Sequence, residues 1–193
     1  MKKVLITGIS GFVGHYLSSA LKDSSFEIHG TVREVGSEAF PDADVTLHEA
    51  DLLKKEDTLE VIKKVMPDYI YHLAALTSPA ESFKQPLKTI HDNTLLQLNV
   101  LEAVREAGLK DSRLLITSSA EVYGKVEEKD LPLNEEAPMR PLSPYGVSKI
   151  TQDYLALQNH LAYGMDIVRV RPFNHIGPGQ MALFVVPAFA KQI

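Results

Sequence analysis

The chain has no cysteine among its 193 residues. That excludes a disulfide framework, a thiolate metal site and a cysteine nucleophile, and it accords with a cytoplasmic, reducing setting. Excess positive charge is missing too: 20 Lys and Arg stand against 25 Asp and Glu, a net charge of -5. No basic field exists to attract nucleic acid. No apolar stretch approaches the roughly 20 residues that a bilayer-spanning helix needs, so no membrane partner is expected. The start, Met1-Lys2-Lys3-Val4-Leu5-Ile6, is basic and then briefly apolar, too briefly for a signal peptide. No repeat or low-complexity tract occurs, and no His/Asp/Glu cluster has metal-ligand spacing, so no metal is expected. The remaining balance, 45% hydrophobic and 23% charged, is that of a globular domain with a real core.

Apolar periodicity alternates along the chain. Val4–Thr7 reads as a strand buried on both faces. Phe12–Lys22 has helical spacing, through Phe12, Val13, Tyr16, Leu17 and Leu21. Glu27–Val32 reads as a second strand, Val35–Asp44 as a loop broken by Gly36, Pro41 and Asp42, and Val45–Glu49 as a third strand. Asp57–Val65 is expected to be helical with Leu59, Ile62 and Met66 on one stripe, ended by Pro67. Tyr69–Leu73 is the fourth strand. A long helix runs from about Leu87 to Ala107, closed by Gly108. Leu114–Thr117 is the fifth strand, and Lys125–Ser143, with Pro132, Pro138 and Pro141, is an ordered surface loop. Tyr145–Tyr163 is helical, stopped by Gly164, and Ile167–Val170 is the sixth strand. Strands alternating with helices imply an α/β doubly wound parallel sheet of Rossmann type, with all strand C-termini on one ligand-binding edge. Residues 1–180 would form this dinucleotide-binding domain. Residues 181–193 open an apolar element without a stop signal and are expected to begin a C-terminal substrate-binding region that continues past this chain.

Gly8-Ile9-Ser10-Gly11-Phe12-Val13-Gly14 follows the first strand and opens a helix. Glycines permit the tight turn and let backbone N–H groups touch phosphate, aided by the helix dipole. A plain strand-to-helix turn is the bland alternative, but the strand–turn–helix context favours a dinucleotide diphosphate. At the end of the second strand stands Arg33, which can pair bidentately with a 2′-phosphate. That favours NADP(H); Glu34 beside it keeps NAD(H) open. Asp51 after the third strand either accepts from an adenine amine or caps the next helix. Ala74 and Ala75 leave room for a ribose, and Phe12, Val13, Leu52, Leu73 and Pro172 are counted with them along the cofactor. His72 reads as a core histidine.

Tyr145 and Lys149 share a helix face at i and i+4. An ammonium beside the phenol is expected to favour the phenolate and bring the tyrosine into working range as a proton donor to a ketone. The hydroxyl run Thr117-Ser118-Ser119 ends the fifth strand, where Ser119 can orient a carbonyl.

Taken together, Gly8-x-x-Gly11-x-x-Gly14, Ser119 ahead of Tyr123-Gly124, and Tyr145-x-x-x-Lys149 resemble the extended short-chain dehydrogenase/reductase superfamily over essentially the whole chain. The resemblance implies that Ser119, Tyr145 and Lys149 are catalytic and that Lys149 also binds the nicotinamide ribose. It implies that Asn93 supports the site, that the substrate is a nucleotide sugar, and that the long helices pair two copies into a homodimer. The run Arg171-Pro172-Phe173-Asn174-His175-Ile176-Gly177-Pro178-Gly179-Gln180 is similar to that of GDP-4-keto-6-deoxy-D-mannose reductases, which make GDP-D-rhamnose with NAD(P)H. Asn174 would then contact the sugar or its diphosphate. Glu121, two residues before Tyr123, matches the C5 base of GDP-mannose 4,6-dehydratases and keeps that reading open. A nucleotide-sugar epimerase is a third enzymatic reading. A non-catalytic dinucleotide-binding regulator would need the glycine turn but not the Ser119–Tyr145–Lys149 set.

Overall fold

The computed structural model describes residues 1–22, 24–34 and 44–192. The expected loop Val35–Asp44 therefore lies outside the described residues apart from Asp44. Short β-branched runs between glycine and polar breaks give six strands: β1 Lys2–Thr7, β2 Phe26–Val32, β3 Val45–Glu49, β4 Tyr69–His72, β5 Arg113–Thr117 and β6 Asp166–Val170. All five pairings are parallel, in the order β3-β2-β1-β4-β5-β6. Strand order reverses beside β1, so the crevice between the C-terminal ends of β1 and β4 is the switch point where such sheets bind ligands.

Helices follow the strands: α1 Phe12–Leu21, α2 Lys55–Val65, α3 Pro79–Lys84, α4 Pro86–Glu106, α5 Pro144–Tyr163 and α6 Val185–Ala190. One face of the sheet buries Leu5, Ile70, Leu114 and Ile116 against Ile62, Leu101 and Ala156 of α2, α4 and α5. The other buries Val4, Ile6, Ile28 and Val32 with Ile9, beside Leu17 and Leu21 of α1. β1 therefore sends apolar side chains both ways, which is why its sequence runs apolar without alternation.

Three details go beyond the sequence expectations. The buried face of α2 is Thr58, Val61, Ile62 and Val65; of the expected stripe Ile62 is buried and Leu59 packs partly against the core, but Met66 does not join it. Met66 adopts φ 50° just past the helix, so its side chain leaves the stripe and is exposed. The polar stretch after β4 holds α3, which carried no apolar periodicity. Ser78 caps it by accepting from Glu81 N–H at 3.2 Å, with Pro79 at its first position. That Ser-x-x-Glu pattern is a helix-start signal present in the sequence. Finally, the 125–143 loop contains one 3-10 turn, Glu128–Asp130.

Candidate active site

The glycine turn sits at the switch point. Gly8 has φ +67°, and a Cβ there would come within 2.9 Å of the Ala74 Cα. The turn is pinned to β2 because Gly8 N–H donates to Thr31 Oγ1 at 3.2 Å. Gly11 is the N-cap of α1 and has no side chain to occupy its first turn. The N–H groups of Phe12, Val13 and Gly14 are first-turn donors that a helix leaves without an intrahelical partner, as an anion site requires. A Cβ on Gly14 would lie 2.3 Å from the Ile9 carbonyl oxygen, so this position lets α1 lie against the turn. These residues fit a dinucleotide diphosphate.

Thr7 joins the two sides of the crevice. Its Oγ1 accepts from Ala74 N–H at 3.2 Å and lies 2.9 Å from Nδ1 of His72. His72 is buried, and burial, with Lys149 nearby, lowers its pKa to about 3. It is a neutral core histidine tying β4 to β1.

Arg33 and Asp51 line one cavity of about 480 Å³ at the β3 edge. Asp51 Oδ1 accepts from Leu53 N–H at 3.1 Å. It therefore turns the chain ahead of α2, whose N-cap is Lys54 without a side-chain bond. The helix-cap role considered for Asp51 is thus replaced by a local turn.

The other half of the site lies on β5 and α5. Ser143 caps α5 by accepting from Gly146 N–H at 3.0 Å, with Pro144 at its first position. Tyr145 therefore enters the first turn and Lys149 the second, both buried. Ser119 follows β5 and caps the 3-10 turn Ala120–Val122, accepting from Glu121 N–H at 3.2 Å. Ser119 lies close enough to Tyr145 to favour its phenolate, and Glu121 is near enough to act on the phenol by its charge. The hydroxyl run divides: Ser118 donates inward to the Lys149 carbonyl at 3.2 Å, leaving Ser119 for the site. Asn93 on α4 accepts from Leu76 N–H at 2.7 Å and donates to Ser148 Oγ at 2.9 Å, bracing α5 beside Lys149. Pro172 and Asn174 lie beyond β6, with Asn174 exposed. Tyr16 of α1 donates to the Pro178 carbonyl at 2.9 Å, so the segment carrying Asn174 returns to α1.

The electrostatics differ from the expected pairing. Burial raises the Tyr145 phenol above its usual value, with Ser119 working against that and Glu121 adding to it. The lysine does not bring it down here: Lys149 Nζ donates to the Thr117 carbonyl at 2.9 Å and sits 5.8 Å from the Tyr145 ring centroid. Burial instead lowers Lys149 to about 7. Sharing a helix face fixed where the chains start, while a sheet carbonyl decided where the amine ends.

That shift has a stability consequence. Between about pH 7 and 10.5 the unfolded chain holds a proton on Lys149 that the folded chain has released. Stability therefore rises with pH across that window, and below it the buried charge weighs fully against the fold. Lys149→Met is expected to raise the melting temperature of the cofactor-free protein at neutral pH. It should also flatten the rise above neutrality, as read by thermal melts across pH; an unchanged slope would count against the assignment.

Among the described residues, no group of three His, Asp or Glu is placed to hold a metal, and no helix is long and apolar enough to cross a membrane.

A glycine turn at the switch point of a doubly wound parallel sheet, with a serine, a tyrosine and a lysine on the β5 end and α5, defines a dinucleotide-fold protein. The chain belongs to the NAD dependent epimerase/dehydratase family, whose model matches residues 4–193. It is 37% identical over 192 residues to the GDP-6-deoxy-D-mannose reductase of Pseudomonas aeruginosa, covering 100% of this chain and 58% of that protein. It is 33% identical to the GDP-mannose 4,6-dehydratase of Yersinia enterocolitica, covering 100% of this chain and 55% of the relative. Among solved structures, RMD from Pseudomonas aeruginosa complexed with NADPH superposes with a TM-score of 0.81 at 35% identity, over 100% of this chain and 60% of that one. The Thermus thermophilus UDP-glucose 4-epimerase complex with NAD gives 0.85 at 29% identity, over 93% and 58%. The chain thus spans somewhat over half the length of these relatives.

Proposed function

We propose that this chain carries the cofactor-binding and proton-transfer part of an NADPH-dependent reductase acting on the C4 ketone of a GDP-linked 6-deoxy-4-keto sugar. The observation that carries the reading is the buried Tyr145 phenol beside Ser119, with Lys149 one turn on. The names of the most similar relatives support the substrate class. When bound, a nicotinamide cofactor supplies the hydride to the carbonyl carbon. Phe12, Val13 and Gly14 N–H groups hold its diphosphate, and Arg33 pairs with its 2′-phosphate. Asp51, Leu52, Leu73, Ala74, Ala75, Asn93 and Pro172 line its path. Ser119 donates to the ketone oxygen and fixes its orientation. Tyr145 gives that oxygen its phenolic proton, a transfer for which a phenol kept protonated by burial is suited. Lys149 holds the ribose and restores charge balance as the proton leaves. Asn174 contacts the sugar or its diphosphate, and the chain is read as pairing with a second copy through α4 and α5.

GDP-mannose 4,6-dehydration is the second reading, favoured by one observation: Glu121 lies near enough to Tyr145 to act on it, where a C5 base would be needed. One pair of assays separates them. The reductase consumes NADPH with the 4-keto sugar nucleotide and leaves GDP-mannose untouched. A 4-keto product from GDP-mannose and NADP⁺ would replace the first reading by the second.

The cofactor preference has its own check. Arg33→Ala removes a charge-assisted phosphate contact of about 1.5–3 kcal/mol, so NADPH should bind roughly 10- to 100-fold more weakly. NADH binding should change little. Equal losses for both cofactors in fluorescence titrations would remove Arg33 from the 2′-phosphate.

A further inference from the structure

Asp153 stands eight residues after Tyr145 and four after Lys149, on the same face of α5, and its side chain has no exposed surface. A lone carboxylate there would be driven toward its neutral form by burial; Arg171 and Arg169 outweigh that and hold it below its usual range. The two arginines are not equivalent. Arg169 donates to Asp153 Oδ1. Arg171 grips the carboxylate twice, Nε to Oδ2 at 2.8 Å and Nη2 to Oδ1 at 3.2 Å. It then reaches outward through Nη1, to Tyr123 Oη at 3.1 Å and to the Glu135 carbonyl at 2.8 Å.

Those contacts surround the site from behind. Tyr123 is buried at the end of the 3-10 turn that Ser119 caps. Glu135 lies mid-way along the 125–143 loop, whose two ends meet where Lys125 N–H donates to the Arg140 carbonyl at 3.3 Å. The backbone either side of Arg171 extends the β5–β6 ladder: Ser118 N–H donates to the Val170 carbonyl at 2.8 Å and Ala120 N–H to the Pro172 carbonyl at 3.0 Å. Ser119 sits between those two bonds. One planar guanidinium thus ties the Tyr145 helix, the Ser119 turn and the adjoining loop to a single strand end, using a fork of donors that an ammonium lacks.

We propose that Arg171 is a positioning residue for the ketone-reducing site, fixing Ser119 and the 125–143 loop against the helix that carries Tyr145 and Lys149. It touches neither ketone nor cofactor, and this role in turnover rests on the reductase reading. Arg169 supplies a matched control, because it shares Asp153 but contacts neither Tyr123 nor Glu135.

The experiment compares Arg171→Lys with Arg169→Lys. A misplacement on the scale of an ångström costs up to about 100-fold, so Arg171→Lys should lower kcat by about 10- to 100-fold. Its NADPH affinity should hold, because the cradle lies on the far side of β4. Arg169→Lys should stay near the parent in both. Trypsin gives a readout independent of turnover: cleavage at Lys125 or Lys129 should accelerate in Arg171→Lys alone, and neither substitution adds or removes a cleavage site. Should Arg171→Lys fail to fold, Tyr123→Phe removes one end of the tether by deleting a single oxygen. It should lower kcat at unchanged NADPH affinity. Equal effects of the two arginine variants on kcat and cleavage would overturn the proposal, as would an unaltered kcat in Tyr123→Phe. If the parent chain reduces no ketone, the reductase reading fails by itself, and the cleavage comparison still decides whether Arg171 holds the loop.

Discussion

Tyr145→Phe should lose about 10²- to 10⁴-fold in ketone reduction, the range that one positioned general acid contributes. NADPH should still bind with nearly unchanged affinity. The substitution deletes one oxygen from a buried side chain and leaves the ring to pack. It removes the proton that must reach the ketone oxygen. The diphosphate cradle on α1 is untouched. Steady-state turnover and fluorescence titration of NADPH on the same preparation check both halves. Turnover within a few-fold of the parent would take Tyr145 out of the reaction. A parallel loss of NADPH affinity would mean that the phenol serves the cofactor instead.

The second large effect is at Gly14. A single methyl there would meet the Ile9 carbonyl oxygen at 2.3 Å and its carbonyl carbon at 2.7 Å, both backbone atoms without room to yield. Ile9 is itself fully buried. Gly14→Ala must therefore lift α1 away from the turn, at a cost of about 1–3 kcal/mol typical of overpacking. The lift also spoils the aim of the Phe12, Val13 and Gly14 N–H groups. The expected outcome is a lower melting temperature together with loss of the thermal shift that NADPH gives the parent. A normal cofactor-induced shift in Gly14→Ala would show that the cradle does not hold the diphosphate.

The residues that were legible from sequence are those whose requirement is local. Gly8 and Gly14 mark a turn that other residues cannot make without strain or collision. The alternation of apolar runs gave six strands because parallel strands buried on both faces need continuous apolar stretches. Gly108 and Gly164 take positive φ where their helices end, as a C-terminal glycine signals. What sequence left hidden depends on contacts across the chain. Lys149 turns its amine to the Thr117 carbonyl, a partner 32 residues away and supplied by the sheet. Asp153 and Arg171 meet only because β6 is placed behind α5. Helix α3 is a different case: Ser78 and Glu81 announce it, but its six residues are too few to show an apolar period.

The proposed roles divide along the chain as well as in space. On the reading proposed above, the residues that grip diphosphate and meet the adenosine ribose lie between Gly8 and Asp51, and those that move a proton come after residue 117. The first stretch lies on β1, β2 and β3 and the second on the end of β5 and on α5, with β4 between them; β4 is joined to β1 where the Thr7 hydroxyl receives Ala74 and meets His72. Grip and chemistry can therefore diverge separately: changes in the later stretch redirect the reaction while the same coenzyme stays seated. That separation gives a physical basis for reductases, dehydratases and epimerases sharing one scaffold.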